Sequence, residues 1–456
     1  MNSTTAVIDR TRLAALISRE QAAFAERNPR SRALFAEAGK TLLGGVPMSW
    51  MSEWAGGFPL FFEHAQDSSL TDVDGHTYVD FCMGDTGAMA GHAPKPVADA
   101  VECRYRRGST TMLPTADAAW VGRELRRRFG LDVWQFSLTA TDANRWVLRL
   151  ARQITGRPKV LVFNRCYHGT VDETVISLGE QGRPRSRPGN VGPAVDPTIT
   201  TKVIEFNDVD ALERALQPGD VACVLTEPAL TNIGIVLPEP GYHDALREVT
   251  RRTGTLLVID ETQTQCTGPG GYVGAHRLNP DFITIGKAIA GGIPIGAYGM
   301  RQEVADRVLV PGIDLGDTGA VGGTLAGNAL SIAAARATLE RVLTEEAFAR
   351  MTALAERLVG GVQEVLDTHR LPWHIVQLGA RAEYRFCPRM PRNGSESAAA
   401  HDSQLDTYIH CYLLNRDVLT TPFHNMTLMS PATTSDDVNR HTEVFAAAID
   451  ALIHKG

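Results

Sequence analysis

The sequence has no uninterrupted apolar run approaching the roughly 18–20 residues that a helix needs to cross a bilayer. Its first residues are polar, without the apolar core of a signal peptide. It has no basic excess: 45 Lys and Arg stand against 52 Asp and Glu, a formal charge of −7, so neither a nucleic-acid nor a membrane partner is expected. It has no Cys-x-x-Cys pair. Cys82, Cys103, Cys166, Cys223, Cys266, Cys387 and Cys411 occur singly, the usage of reduced thiols in a cytoplasmic protein. No His/Cys/carboxylate cluster has zinc-ligand spacing, and His64, His76, His92 and His168 read individually as local hydrogen-bonding residues. No Gly-x-Gly-x-x-Gly follows a strand, which removes a nicotinamide-binding reading. Lysine is scarce as well: arginine supplies all but six of the 45 basic residues.

What is present is an ordinary globular composition, 43% hydrophobic and 21% charged over 456 residues, enough for two or three domains. Residues 8–38 have helical apolar spacing, broken at Asn28-Pro29. A hairpin is expected from Leu60-Phe61-Phe62 and Tyr78-Val79-Asp80-Phe81 about a turn at Asp72–His76. From about residue 115, amphipathic helices alternate with short apolar runs at 134–137, 159–163, 222–226, 255–259, 282–285 and 297–300. That alternation predicts an α/β fold with a mostly parallel sheet covered on both faces. A long helix from about Ala329 to Leu343 leads into a smaller α+β portion. The expected division is a large domain at 76–335 and a small one at 336–456, with residues 1–75 packing on the latter. The Arg/Gly/Pro-rich stretch 179–197 is expected to be the longest irregular loop.

Lys287 stands out among the six lysines. It follows the strand Phe282-Ile283-Thr284-Ile285 and Gly286, and only small residues follow it. Desolvation there would lower the amine's pKa and make it a Schiff-base nucleophile; a strand-end lysine reaching solvent is an equal reading of this segment alone. Lys40, Lys95, Lys159, Lys202 and Lys455 lie in no such setting.

In a parallel sheet, ligands gather at the carboxyl ends of strands. Asp260 leaves one strand end and could bind a metal, cap a helix or pair with a cationic ring nitrogen. Thr139-Ala140-Thr141 opens a helix, as an ordinary N-cap or a phosphate cradle. Tyr167 follows another strand and could stack on a flat ring or belong to the core. Glu227 follows a further strand, and Thr324 precedes Asn328 and a helix, another hydroxyl placed for a phosphate. Pyridoxal phosphate uses this whole set: a lysine for its aldehyde, a carboxylate for its ring nitrogen, a stacking partner, and hydroxyls at a helix start for its phosphate.

The chain also resembles the class III (omega) aminotransferases of the fold type I pyridoxal-phosphate enzymes, a group that includes glutamate-1-semialdehyde aminomutase and β-amino-acid transaminases. The likeness rests on Leu257-Val258-Ile259-Asp260-Glu261-Thr262-Gln263-Thr264, on Gly286-Lys287, and on Cys166-Tyr167-His168-Gly169, Glu227-Pro228, Asp72–His76 and Gly91-His92-Ala93-Pro94. It implies that Lys287 carries the cofactor and later the proton, and that Asp260 holds the ring nitrogen. Tyr167 and Thr262 would flank the ring, while Thr139, Ala140 and Thr141 hold the phosphate. Thr324 would reach the phosphate of a neighbouring subunit in a homodimer, and Glu227 would lie near the ring oxygen. His168 and Gln263 fall in the same motifs and join the cofactor-binding set.

Three departures matter. The phosphate loop lacks the glycine usual in the family, so Ala140 must use an ordinary backbone conformation or the loop must shift. Thr262 replaces a valine of nearly the same shape. The early loop Pro47–Met51 and the late loop Thr420–Asn425 lack the arginines with which some relatives grip a carboxylate. Trp50, Met51, Trp54, Met83 and Phe423 are then candidates for an apolar substrate pocket or for core, and Arg381 or Arg385 for a keto-acid carboxylate. The expected activity is transamination between an amine bearing a bulky apolar group and a keto acid or ketone. An aminomutase or racemase on the same cofactor is the alternative. A non-catalytic protein that merely keeps the fold is disfavoured by the presence of both Lys287 and Asp260.

Overall fold

The computed structural model describes residues 8–308 and 321–453; Lys455 lies outside them. The chain forms two compact units, one of Lys95–Phe348 with Pro391–Ala399, the other of Met1–Pro94, Ala349–Met390 and Ala400–Gly456. These boundaries differ from cuts at 75/76 and 335/336. Residues 76–94 stay with the second unit through Phe81 N–H donating to Leu419 O at 2.8 Å and His92 N–H donating to Asp67 O at 2.8 Å. The helix Ala329–Arg341 packs on the helices Lys95–Tyr105 and Ala116–Phe129 of the first.

The first unit is built on a seven-stranded sheet. Its strands are β1 (Val133–Ser137), β2 (Lys159–Phe163), β3 (Thr201–Ile204), β4 (Val221–Thr226), β5 (Leu256–Asp260), β6 (Phe282–Ile285) and β7 (Gly296–Met300). They lie in the order β1-β7-β6-β5-β4-β2-β3. β7 is antiparallel to both its neighbours; the pairs among β6, β5, β4, β2 and β3 are parallel. Every residue of β4, β5, β6 and β7 is buried, which is why these strands read as unbroken apolar runs. Each fully buried Val, Leu or Ile contributes on the order of 1.5–3 kcal/mol. β3 is one of the two edge strands, and its Lys202 is tied to Asp220 at 2.6 Å.

The helix Ala140–Thr155 crosses this sheet. Ala143, Trp146, Val147, Leu150 and Ala151 recur at three- and four-residue spacing on its buried side. Thr139 caps its start, and Gly156 in the left-handed region ends it. Because the parallel strands point one way, the segments after β2, β4, β5 and β6 and the start of this helix lie along one sheet edge.

In the second unit, the helix Arg10–Arg27 packs against Ser403–Leu414. Phe24, Phe58, Tyr78, Cys82, Cys411, Leu414 and Leu419 form its core cluster. The expected hairpin is a three-stranded meander, Phe62–Gln66, Ser69–Asp72 and Thr77–Asp80, joined in parallel by Val418–Leu419. The polar strand Ser69–Asp72 carries no apolar alternation to announce it. The stretch 179–197 is also more regular than expected: Pro184–Ser186 pairs with Ile176–Leu178. No helix among the described residues is long and apolar enough to cross a membrane.

His441 sits in the core of this unit between Phe81 and Phe445, with both ring nitrogens lacking a hydrogen-bond partner. Burial pushes its pKa down to about 4. Since the unfolded value is about 6.5, the unfolded chain takes up the proton first on acidification. Stability is then full above about pH 6.5 and is lost as pH falls toward about 4. His441→Leu should raise stability at neutral pH by about 1–2 kcal/mol, by removing an unsatisfied buried N–H. It should also flatten the fall in melting temperature between those pH values, with His243, likewise pushed down to about 4, retaining part of it. An unchanged acid slope would contradict this assignment.

Candidate active site

Asp260 ends β5 and is almost wholly buried. Its Oδ2 accepts from His168 Nδ1 at 2.8 Å and from Asn144 Nδ2 at 2.8 Å; its Oδ1 accepts from Thr262 N–H at 3.0 Å. Burial alone would raise the carboxyl's pKa, but these donors and the His168 charge outweigh it and hold the pKa below the usual value. His168 moves the opposite way: burial opposes its charge, yet its anionic surroundings, including Asp260, hold its pKa well above normal. Asp260 is therefore an ionised carboxylate inside the protein.

Lys287 is half-buried and has φ 49°, the left-handed region that a lysine adopts only under constraint. Gln265 supplies part of that constraint. Its Nε2 donates to Thr262 O and to Gly286 O, each at 2.9 Å, so it staples the segment after β5 to the residue before Lys287. Gly286 also lies against the start of the helix Ala140–Thr155: a Cβ there would come 2.8 Å from Ala140 Cβ. Lysine, carboxylate and helix start thus form one constellation.

At that helix start, Thr139 Oγ1 accepts from Asp142 N–H at 3.2 Å, and Ala140 is already helical. The missing glycine is accommodated by an ordinary conformation. Thr141 Oγ1 accepts from Thr170 N–H at 3.3 Å, and a Cβ on Gly169 would collide with that hydroxyl. Tyr167 is half-buried, its N–H donating to Glu227 Oε1 at 3.2 Å. Burial raises the Glu227 pKa; its other oxygen accepts from Thr231 N–H at 3.0 Å. Among the described residues, Thr262 Oγ1 and His168 Nε2 are buried without a hydrogen-bond partner. Gln263 follows Thr262 at the strand end, and Thr324 is exposed.

The candidate pocket residues of the second unit separate. Trp50 and Phe423 meet edge-to-face at 5.0 Å and are partly exposed, as is Met51. Trp54 packs on the core cluster. Met83 is fully buried, so it belongs to core and does not line a pocket. Arg381 and Arg385 are buried in one strand with Glu383 between them, and Arg381 pairs with Glu383 at 3.5 Å; neither presents an open guanidinium. Sequence reasoning missed Asn144 and Gln265. The signal for Asn144 was an amide on an otherwise apolar helix face.

The profile of the family described as "Aminotransferase class-III" matches residues 50–445. The chain belongs to the class-III aminotransferases. A glutamate-1-semialdehyde 2,1-aminomutase of Anaeromyxobacter sp. (strain K) is 30% identical over 415 residues, 90% of this chain and 95% of its own. The crystal structure of a glutamate-1-semialdehyde aminomutase from Pseudomonas aeruginosa PAO1 superposes with TM-score 0.95 at 50% identity, covering 98% of this chain and 99% of that one. A lysine-to-alanine variant of that protein is described in complex with PMP. An omega-transaminase from Sphaerobacter thermophilus superposes with TM-score 0.85 at 27% identity, covering 94% and 99%.

This class-III aminotransferase is a pyridoxal 5′-phosphate enzyme, and its residues fit that cofactor. A buried ionised carboxylate, an orphaned Thr262 hydroxyl and a glycine-lined helix start adjoin one lysine. Because Gly286 is flush with Ala140, Gly286→Ala should push the helix start away and weaken cofactor binding about tenfold or more. Gly122→Ala, where a Cβ meets open space, should not. Spectrophotometric titration of the apoenzyme with pyridoxal 5′-phosphate measures both, and equal affinities would refute the packing argument.

Proposed function

We propose that this chain moves an amino group to and from a carbonyl carbon, with Lys287 as covalent anchor and proton carrier and Asp260 as counter-ion of the cofactor's ring nitrogen. The carrying observation is that Asp260 stays ionised although buried, beside the segment that bears the lysine. When bound, pyridoxal 5′-phosphate supplies an electron sink for the carbon that loses its proton and a temporary seat for the nitrogen. Tyr167 and Thr262 would flank the ring, and Thr139, Ala140 and Thr141 would receive the phosphate on N–H groups and hydroxyls at the helix start. Glu227, His168 and Gln263 complete the cofactor's surroundings. Lys287 would carry the proton as a general base and acid.

A homodimer completes the proposal, with Thr324 reaching the partner's cofactor phosphate. Met112, Leu113 and Leu325 are exposed apolar residues, and Ala329 N–H donates to Ser109 O at 3.0 Å, joining the two segments that carry them into one face.

Two forms of the transfer have support. The relatives' names favour the intramolecular form, an aminomutase, and the Pseudomonas protein at 50% identity over nearly the whole chain weighs most. The residues of the loops 47–51 and 420–425 favour the intermolecular form, a transaminase for amines with aromatic or apolar groups. Those loops lack the arginines of a carboxylate clamp, and Trp50, Met51 and Phe423 in them are exposed apolar residues.

Lys287→Ala should abolish both turnover and the visible absorption of lysine-bound cofactor; a variant retaining both would sink the assignment. Nitrogen-labelled glutamate-1-semialdehyde and a labelled aromatic amine with a keto acid then separate the two forms. Isomerisation with no acceptor added marks an aminomutase, whichever molecule carries the label, and label passed to the keto acid marks a transaminase.

A further inference from the structure

Asn144 is 1% exposed and faces Asp260 from the second turn of the helix Ala140–Thr155. Its amide orientation follows from its neighbours. An ionised carboxylate only accepts, so the atom 2.8 Å from Asp260 Oδ2 is the NH2 group. The same nitrogen donates to His168 O at 3.2 Å. The amide oxygen accepts from Thr284 Oγ1 at 2.6 Å, and Thr284 pairs with Asp260 across β6 and β5. Asn144 therefore has both amide hydrogens and its oxygen in use, all toward strand ends of the site.

The surroundings explain why a neutral donor is useful there. The titratable groups facing Asp260 are His168, Glu227 and Glu261; Lys287 leaves the adjoining strand. Burial raises the pKa of Glu227 and brings that of Glu261 up to about 7. Among the described residues, His168 is the one side chain hydrogen-bonded to Asp260 that can carry charge. Asn144 adds a bond that does not titrate. With Asn144 and His168 both on Oδ2, Oδ1 carries, among the described residues, only the bond from Thr262 N–H, and a carboxylate oxygen can accept a further donor.

We propose that Asn144 is a positioning residue for Asp260: it shares Oδ2 with His168, so that Oδ1 keeps the acceptor position for the cofactor's ring nitrogen and the carboxylate stays ionised on acidification. This rests on the reading that Asp260 pairs with that nitrogen. The loss of Asn144 removes a donor to the charged form, and burial then favours the protonated acid. Asp260 holds its charge above its folded-state pKa, so a raised pKa means that cofactor is released at a higher pH.

The experiment follows release of pyridoxal 5′-phosphate from holoenzyme during acidification, by gel filtration and absorbance. In Asn144→Leu the release midpoint should move up by about one pH unit or more. In Thr284→Val, which leaves every donor to Asp260 in place, it should stay within about 0.3 unit, since a tenfold change corresponds to about one unit. Equal shifts in the two variants, or no shift in Asn144→Leu, would overturn the proposal. Should Asn144→Leu fail to fold, Asn144→Asp decides. Its carboxyl can donate to Asp260 only while protonated, so retention should be near normal under mildly acidic conditions and fall as pH rises. Retention independent of pH would again overturn it. Asp260→Asn separates the premise: if its cofactor release matches the unaltered enzyme, the ring-nitrogen reading itself fails, whereas a large effect there with none at Asn144 removes only the present inference.

Discussion

A carboxylate kept charged inside the protein is the constraint around which this site is organised. Removing an ion from water costs several kcal/mol even after relaxation, and Asp260 is almost wholly enclosed. The cost is offset by donors drawn from three separate places. His168 comes from the segment after β2, Asn144 from the helix face, and Thr262 N–H from the turn that Asp260 itself begins. Each donor fixes the element that bears it. One charge thereby sets the register of a helix against two strand ends, and the same register brings Gly286 against Ala140.

Glycine does a second part of this work, at positions other than the family's usual one. With alanine at 140 the helix begins in ordinary geometry, and closeness is achieved from the facing side. Gly286 allows the strand end to touch Ala140. Gly169, at φ +77°, allows the loop after β2 to pass over Thr141. Space for a phosphate depends on how near the surrounding backbone can come, and that space can be cut from either wall. The left-handed conformation of Lys287 belongs to the same arrangement, held by the Gln265 staple on the carbonyl before it.

Much of this was legible from residue patterns, for identifiable reasons. Strands buried on both faces must be apolar throughout, so β4, β5 and β6 announced themselves, and whatever followed them was by topology at the ligand edge. Lysine scarcity isolated Lys287. The strand Ser69–Asp72 was illegible because its burial is partial and its residues polar. Met83 and Trp54 looked like pocket because loop position says nothing of which way a side chain packs; the core cluster decides that. Asn144 was not legible as a partner of Asp260, since the two lie 116 residues apart and only the folded sheet joins them.

The buried arginines are held by the charges around them. Arg381, Glu383 and Arg385 alternate along one strand and share one side of it. Burial would raise the Glu383 pKa, but His424, Arg381 and Arg385 together hold it below the usual range. Turning either guanidinium toward a substrate carboxylate would withdraw a counter-charge from a buried anion, a loss that costs about 3–5 kcal/mol when a buried pair is broken. A single new surface ion pair returns about 0–1 kcal/mol. The arginines are therefore committed to the fold of their unit, and the open surface there is aromatic and apolar, at Trp50, Met51 and Phe423. Covering such a surface with an apolar group gains roughly 25 cal/mol per Å² removed from water.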